Sequence, residues 1–234
     1  MKRIYAFAAL LLFVCDVSAQ TMVVHQKGGV VVTFDVNGVD SVCFCLESLE
    51  TAPERRAVDL GLSVMWAECN LGAETPADWG DFYSWGEVSP KSDYSQGSYM
   101  YYVDEQYQHI GTDICGTKYD AASAEWGISW RMPTHAEVKE LAEKCVWTWT
   151  ETTTGVCGYV VTGPNGRSIF LPASGYTMST SVQGQGKKGF YWTGALSGSM
   201  PTAAHNMNFS GYSGDWTASR AYGLSVRPVF NGNK

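Results

Sequence analysis

The chain carries few charges, and the scarcity of basic residues is the more informative shortage. Only 17% of the 234 residues are charged, and 16 Lys and Arg stand against 23 Asp and Glu, for a net charge of −7. Binding to nucleic acid or to an anionic bilayer through charge needs a basic stripe. Because the sequence has none, we expect no nucleic-acid partner, and we interpret the acidity as a contribution to solubility.

Long apolar runs are also missing, apart from one near the first residue. This run covers residues 4–15 and has 12 residues, whereas a membrane-spanning helix needs about 20. Basic residues precede the run, and the small residues at 17–19 follow it. This order predicts a signal peptide over residues 1–19, cleaved before Gln20.

We therefore expect an exported protein without a membrane-spanning segment, located in the periplasm, at the cell surface or secreted. A lipoprotein acylated at Cys15 is the less favoured alternative. Residues 12–14 are bulky, whereas a bacterial lipoprotein usually has a small residue just before its acylated cysteine.

Metal-ligand spacing is absent as well. Removing the predicted signal peptide leaves six cysteines, at positions 43, 45, 69, 115, 145 and 157. Positions 43 and 45 share one face of a strand, but no second Cys-x-x-Cys pair or His pair accompanies them, so we expect no metal site. An even number of cysteines in an exported chain favours disulfides or buried thiols, and the sequence leaves the pairing open.

Two β-rich runs open the predicted mature chain. They flank a Gly-Gly turn and predict a β-hairpin that starts at Met22, and a third run follows at residues 39–44. We assign residues 20–46 to this hairpin module, which at about 25 residues is too short to bury a core of its own. The polar, Pro-containing residues 47–57 predict a linker.

Residues 58–230 form the main predicted domain, in which local signals indicate two helices. Thr134 and Glu137, three residues apart, form a capping box, and the residues that follow repeat apolar positions at helical spacing. These apolar residues are Val138, Leu141, Ala142 and Cys145. A shorter helix is predicted over residues 121–126, with Asp120 as its N-cap and a glycine at its end.

Short strand-like runs fill the rest of this domain. We predict strands at residues 146–150, 156–162, 168–171, 189–193, 205–209 and 223–230. Two helices followed by short antiparallel strands are an α+β pattern. The tetrapeptide Gly-Leu-Ser-Val occurs at 61–64 and again at 223–226, and we expect these two segments to pair and to bring the ends of the domain together.

Several motifs, in order, resemble a known family. They are Val-Asp-Leu-Gly-Leu-Ser-Val-Met-Trp-Ala at 58–67, Gly-Asp-Phe-Tyr-Ser-Trp-Gly-Glu at 80–87, Trp-Arg-Met-Pro-Thr at 130–134, Ser-Ile-Phe-Leu-Pro-Ala-Ser-Gly-Tyr at 168–176, Gly-Phe-Tyr-Trp at 189–192 and Ser-Val-Arg-Pro-Val at 225–229. Over roughly residues 58 to 229 the chain resembles the Fibrobacter succinogenes major paralogous domain of Bacteroidota. The resemblance implies a loop-rich fold similar to C-type lectins and to the formylglycine-generating enzyme, with paired terminal strands. It also implies a disulfide between Cys69 and Cys145.

The resemblance does not bring an activity with it. A formylglycine-generating enzyme needs a reactive cysteine pair and metal support, and no residues mark such a pair, so we expect no enzyme. The calcium-dependent sugar motif of C-type lectins is absent, because residues 163–165 lack its acidic ligand and residues 214–216 have the wrong order. Asp104, Glu105 and Asp113 carry oxygen ligands of the kind that calcium takes. Solvated acidic side chains are the simpler interpretation, and no cofactor is expected.

The segment at residues 194–222 is the predicted ligand surface. It is rich in Ser, Gly, Asn, Tyr and Trp, which are residues that recognition loops use. The candidate contact residues are His205, Asn206, Asn208, Tyr212, Trp216, Ser219, Arg220 and Tyr222.

Other aromatic and charged residues are expected to have structural roles. Five tyrosines, at positions 94, 99, 101, 102 and 107, suit either a contact surface or packing beneath a loop, and the sequence leaves both open. Trp147, Trp149 and Trp192 are expected in the core or on a strand face. Arg227 is expected to be buried against a carboxylate such as that of Glu87.

These observations predict an exported, non-enzymatic recognition or adhesion module that binds a protein or a glycan through its C-terminal loops. The structural alternative is a surface or fimbria-associated subunit whose N-terminal hairpin adds a strand to a neighbour. A degenerate enzyme of the formylglycine-generating type is the least favoured hypothesis. Deleting the hairpin separates the first two, because an independent recognition domain still folds and binds without it.

Overall fold

The computed structural model describes residues 21–25, 31–35, 56–209 and 213–230. Four predictions fall wholly or mostly outside these residues: the signal peptide at 1–19, the third β-rich run at 39–44, the linker at 47–57, of which only residues 56 and 57 are described, and the contact residue Tyr212. The chain divides into two compact units, residues 1–50 and residues 51–234.

The first unit contains the predicted hairpin. Strands β1 (Thr21–His25) and β2 (Val31–Asp35) pair antiparallel, with Thr21 opposite Asp35 and His25 opposite Val31. Val and Thr make up most of both strands, and β-branched residues suit a pleated sheet. The predicted pairing of these two β-rich runs is confirmed.

The second unit is rich in short strands and loops, and its described residues contain two α-helices, α1 (Ala121–Trp126) and α2 (His135–Lys144). Its strands are β3 (Ala57–Val58), β4 (Met65–Ala67), β5 (Tyr102–Val103), β6 (Gln106–Tyr107), β7 (Trp130–Arg131), β8 (Val146–Glu151), β9 (Cys157–Thr162), β10 (Ser168–Pro172), β11 (Tyr176–Met178), β12 (Ser181–Gln183), β13 (Gly189–Leu196), β14 (Ala203–Phe209), β15 (Ser213–Ser219) and β16 (Val229–Phe230). A single turn of 3-10 helix covers Gln96–Ser98. The predicted α+β class, loop-rich with one longer and one shorter helix, is confirmed at this level.

Both helices begin at the residues that their sequence signals predict. The Asp120 carboxylate accepts hydrogen bonds from the backbone N–H groups of Ala122 and Ser123, at 2.9 and 3.1 Å. At α2, Thr134 Oγ1 accepts from the Glu137 N–H at 3.2 Å, and Glu137 accepts from the Thr134 N–H at 2.8 Å. These bonds satisfy N–H groups that the first turn of a helix otherwise leaves without partners.

Strands β3, β4, β16 and β7 form one sheet, in that order, which joins the ends of the second unit. Val229 lies opposite Trp66 on β4 and opposite Arg131 on β7. The ends of the domain therefore meet as predicted. The residues that pair are Met65 and Trp66 with Phe230 and Val229, which follow the two Gly-Leu-Ser-Val segments in the sequence. The predicted pairing of the two segments with each other is therefore wrong.

Each of these tetrapeptides forms hydrogen bonds with other parts of the second unit. In the first, Gly61 has a positive φ of 77°, and the Ser63 N–H donates to the Glu140 carboxylate of α2 at 3.0 Å. In the second, the backbone of residues 223–226 bonds to four separate segments, through Thr177, Tyr83, Phe190 and Leu71. The repeat therefore marks two connecting segments rather than one pair of strands.

The sheet β13–β14–β15 separates two apolar clusters. Side chains alternate between the two faces of a strand, so Tyr191 belongs to the first cluster and its neighbour Trp192 to the second. The first cluster joins this sheet to α2 and to the sheet β10–β9–β8. The second lies beneath α1 and the loops around Trp85 and Ile114.

The sequence prediction missed several short strands, and β15 is the one that lies within the predicted ligand surface. Residues 213–219 fall inside the segment 194–222, which was predicted as a ligand-binding loop, yet they pair with the whole of β14 from Phe209 to Ala203. Gly, Asp and Ser are poor strand formers, so the local pattern gives little sign of this strand. Pairing with β14 outweighs that weak propensity.

Candidate functional site

Most of the predicted contact residues lie on β14, on β15 and in the turn after β15. Asn206 lies opposite Trp192 of β13 on one side and opposite Trp216 of β15 on the other. Asn208 lies opposite Phe190 and Gly214 in the same way. Since directly opposed residues of antiparallel strands point to one face, the two Asn residues and Trp216 share a face of the sheet.

These three residues form the candidate site, which we call the amide–indole site. Trp216 is 48% exposed, whereas Asn206 and Asn208 are only 1% and 7% exposed. The Asn206 Nδ2 group donates to the Trp216 carbonyl at 3.2 Å. Oδ1 of Asn206 and Oδ1 of Asn208 are both buried without a hydrogen-bond partner among the described residues.

A buried acceptor without a donor is costly, by about 1–3 kcal/mol for each group. Two such acceptors lie two residues apart on β14, beside an exposed indole ring. A hydroxyl or N–H group that reached these oxygens would relieve this cost, and the indole offers a flat apolar surface next to them. Neither oxygen is exposed to solvent in this structure, so a side-chain movement has to precede such a contact. The arrangement is therefore suited to a neutral ligand that carries hydrogen-bond donors.

Three further aromatic rings continue the site on the β13 side. Tyr176 packs against Phe190 with ring centroids 4.8 Å apart, and against Tyr222 at 5.8 Å. Phe190 is directly opposite Asn208. Tyr222 was predicted as a contact, whereas Tyr176 and Phe190 were not. Phe190 could have been found from the sequence, because residues two apart on a strand point to the same face and Phe190 is two residues before Trp192.

His205 and Ser219 lie away from this site. His205 points to the opposite face of β14 from Asn206, where its ring stacks on that of His135, at 4.3 Å and 15°. The Ser219 hydroxyl lies 3.4 Å from the Tyr107 hydroxyl. The structure therefore does not bring all the predicted contacts together.

Arg220 is a structural residue and not an exposed contact. It is buried, with Nε donating to the Tyr99 hydroxyl at 3.0 Å and its two terminal nitrogens donating to the carbonyls of Pro201 and Gln108. Its guanidinium also lies over the Trp85 ring at 5.0 Å. These contacts hold the loops around residues 99–108 and 201 against the second cluster.

Two of the five tyrosines are buried beneath the loop and the other three are half-buried, which favours packing over a contact surface. Tyr94 and Tyr99 are buried, and Tyr101 meets Tyr99 edge to face at 5.6 Å. The Tyr99 hydroxyl donates to the Trp85 carbonyl at 2.6 Å. Burial raises the pKa of Tyr99 above its ordinary value, against the opposing effect of Arg220.

Arg227 is buried as predicted, but its partner is not Glu87. Its guanidinium donates to Asn70 Oδ1 at 2.8 Å and to the carbonyls of Ala67, Glu68 and Phe170. Glu87 instead pairs with Lys91 at 2.8 Å. The predicted ion pair is wrong because backbone carbonyls from two distant segments already surround the arginine.

The structure does not show the disulfide between Cys69 and Cys145 that the family resemblance implies. Cys69 and Cys145 are both free, as are Cys115 and Cys157. The Cys69 thiol donates to the Glu74 carbonyl at 3.9 Å, and Cys145 packs against the first cluster at the end of α2. Each sulfur thus has its own local surroundings. Cys43 and Cys45 lie outside the described residues.

The acidic residues considered for calcium do not gather. Asp104 and Glu105 form the tight turn between β5 and β6, with positive φ angles of 50° and 60°. Asp113 accepts a hydrogen bond from the Cys115 N–H at 2.9 Å. Within the described part of the chain, no three His, Cys, Asp or Glu residues lie close enough together to hold a metal ion.

No family model matches this chain, and neither does any curated protein or solved structure. The two described helices have 6 and 10 residues, and neither is long and apolar enough to cross a membrane. The functional proposal therefore depends on the geometry of the amide–indole site and on the motifs of the sequence.

Proposed function

We propose that the chain is an exported, non-enzymatic recognition module that binds its ligand at the amide–indole site. The observation that carries the proposal is the exposed Trp216 indole beside two buried amide oxygens without donors. An indole stacks on the apolar face of a sugar ring, and amide oxygens accept from sugar hydroxyls. A glycan is therefore the ligand that fits best, and a protein surface rich in hydroxyl and amide groups is the alternative.

The family assignment belongs to the same proposal. The motifs that resemble the major paralogous domain contain the large side chains of the core, among them Trp66, Trp85, Trp192 and Arg227, which are all buried. Residues that determine a fold are expected to be buried in this way. The pairing of β4 with β16 supports a C-type-lectin-like arrangement, in which the terminal strands meet.

Thiol chemistry supports the non-enzymatic part of the proposal. Burial raises the pKa of Cys69, of Cys115 and of Cys145, and for Cys115 a hydrogen bond with Asp113 adds to this effect. A catalytic thiol needs the opposite shift, since the thiolate is the reactive form. The amide–indole site itself consists of neutral side chains.

The direct test is a glycan array probed with the predicted mature chain, residues 20–234. We expect a selective signal that persists in a chelator, because the site offers amide oxygens rather than carboxylates. Trp216→Ala should weaken binding about fivefold or more, since stacking on an aromatic ring is worth about 1 kcal/mol or more. Trp216→Phe, which keeps a ring, should retain part of the affinity.

The matched control is Ile128→Ala, which removes an exposed apolar side chain elsewhere on the same unit. It should bind as the wild type does. A well-folded protein without any glycan signal would favour a protein ligand or an assembly role. Binding that survives Trp216→Ala would refute the site.

A second candidate function is a structural subunit, and the first unit is the observation in its favour. Among the described residues, strands β1 and β2 form a sheet of two strands, and an isolated two-stranded hairpin is marginally stable at best. Such a hairpin gains stability when it adds to the edge of another sheet. Deleting residues 20–46 should then abolish assembly and leave glycan binding unchanged.

A further inference from the structure

One edge of the sheet β10–β9–β8 is open. β8 is the last strand on one side of this sheet. In the turn that joins β8 to β9, the Thr152 N–H donates to the Val156 carbonyl at 2.9 Å, which makes residues 152 and 156 a hydrogen-bonded pair. Hydrogen-bonded and non-hydrogen-bonded pairs alternate along antiparallel strands. The backbone groups of Trp147, Trp149 and Glu151 therefore point away from β9, and no described residue supplies them with a partner.

The other edge of the same sheet is closed by side chains. On β10, the Phe170 carbonyl accepts from Arg227 at 2.8 Å, and the Pro172 carbonyl accepts from the Tyr191 hydroxyl at 2.6 Å. Proline also has no N–H group to offer. Proteins usually protect the edges of their sheets, so the difference between β10 and β8 is informative.

The composition of β8 favours pairing. Its sequence is Val-Trp-Thr-Trp-Thr-Glu, which combines strong strand formers with a single charge and contains neither Lys, Pro nor Gly. Val146 is 68% exposed and Trp149 is 44% exposed. The other exposed edge strand with a tryptophan, β15, contains Gly214 and Asp215, which discourage pairing.

We propose that β8 pairs antiparallel with β8 of a second copy of this chain, about a two-fold axis at Trp149. The outward backbone groups at 147, 149 and 151 are symmetric about this residue, so Trp149 lies opposite its own copy and Trp147 lies opposite Glu151 of the second copy. Thr148 then lies opposite Thr150 of the second copy, a favourable cross-strand pair. The two three-stranded sheets become one sheet of six strands.

A two-fold interface requires the same surface to fit itself, and β8 satisfies this requirement. Its only charged residue, Glu151, is four positions from the Glu151 of the second copy along the sheet, or about 14 Å at 3.4 Å per residue. That separation exceeds the screening length of about 8 Å at physiological salt. The pairing therefore places no like charges opposite each other.

Sedimentation equilibrium of residues 20–234, over about 1–100 µM protein, tests the proposal. The wild type should be a dimer in the upper part of this range. Trp149→Lys should raise the dimer dissociation constant at least about tenfold, because it replaces an aromatic pair with two like charges directly opposite each other. The matched control is Trp216→Lys, since Trp216 is as exposed as Trp149 but lies on β15.

A cross-link keeps the test decisive if Trp149→Lys does not fold. Trp149→Cys should form a covalent dimer under mild oxidation, because opposed Cα atoms in a sheet lie within the 4.4–6.8 Å that a disulfide needs. Val146→Cys should not form one beyond the wild-type background, since its two copies would be about 20 Å apart. A monomer at about 100 µM, a dimer unaffected by Trp149→Lys, or a dimer abolished by Trp216→Lys would each overturn the proposal.

Discussion

Two buried arginines show how this chain uses single residues. Arg220 and Arg227 are both buried, and their hydrogen bonds go to carbonyl, amide and hydroxyl oxygens rather than to carboxylates. Burial lowers the pKa of Arg227 from its ordinary value. Each guanidinium distributes its charge over several dipoles, and each ties together segments that are far apart in the sequence.

Replacing Arg227 is expected to be severe. Arg227→Ala leaves the Asn70 amide and three backbone carbonyls without their donors, so the free energy of unfolding should fall by more than about 3 kcal/mol. Urea unfolding followed by tryptophan fluorescence measures this. Arg167→Ala, at an exposed position of the β9–β10 turn, is the control and should change stability by less than about 0.5 kcal/mol. Equal losses for the two variants would contradict this account of Arg227.

For single residues, the sequence predicts which residues lie near the candidate site better than it predicts which of their side chains are exposed and which are buried. Asn206, Asn208 and Trp216 were identified from the composition of their segment, and the structure places them together. Arg220 came from the same segment but is buried. Its partners Tyr99 and Gln108 are more than 100 residues away, and a local pattern carries no information about contacts at that distance.

Elements with local signals were predictable, and elements stabilised by distant contacts were not. Both helices begin at their predicted caps because the capping bonds involve residues three positions apart or closer. Strand β15 depends on β14, and the segment 61–64 depends on α2 through the bond from Ser63 to Glu140. The sheet β3–β4–β16–β7, which we call the closing sheet because it joins the ends of the second unit, has a register with Val229 opposite Trp66, and no local signal predicts this register either.

The contact between residues 61–64 and α2 predicts a pH dependence. Burial raises the pKa of Glu140, but hydrogen bonds from Lys144 and Ser63 outweigh it and lower that pKa to about 2. A carboxylate whose pKa is lowered by folding stabilises the protein above its ordinary pKa of about 4.5, and this stabilisation is lost as the pH falls towards 2.

Glu140→Gln should therefore lower the free energy of unfolding by about 1 kcal/mol at pH 7, since solvent screens this partly exposed group. The difference from the wild type should shrink below about pH 5 and disappear near pH 2. Urea unfolding at a series of pH values measures it. Glu143→Gln, on an exposed side chain of the same helix, should show no such trend. A gap for Glu140→Gln that stays constant with pH would refute the assignment.

At the scale of the whole molecule, the second unit contains both apolar clusters and the sheet between them. Its class was predictable because alternation and helical periodicity recur in many short segments. It should fold without the first unit. Residues 56–234 should show one cooperative thermal transition within about 2 °C of that of residues 20–234. Removing residues 227–234 instead, which takes away Arg227 and β16, should abolish the transition. Loss of folding on deletion of the first unit alone would contradict this independence.

The closing sheet also decides how the second unit responds to force. β3 and β16 flank β4 and both run antiparallel to it, so they run parallel to each other. A pull applied between residues 57 and 230 then acts along the strands, and the hydrogen bonds of β4 are loaded together instead of breaking one after another. The tension passes through this sheet and not through the sheet that carries Trp216. A pull between the two ends of the second unit would therefore be resisted by the shearing of this sheet.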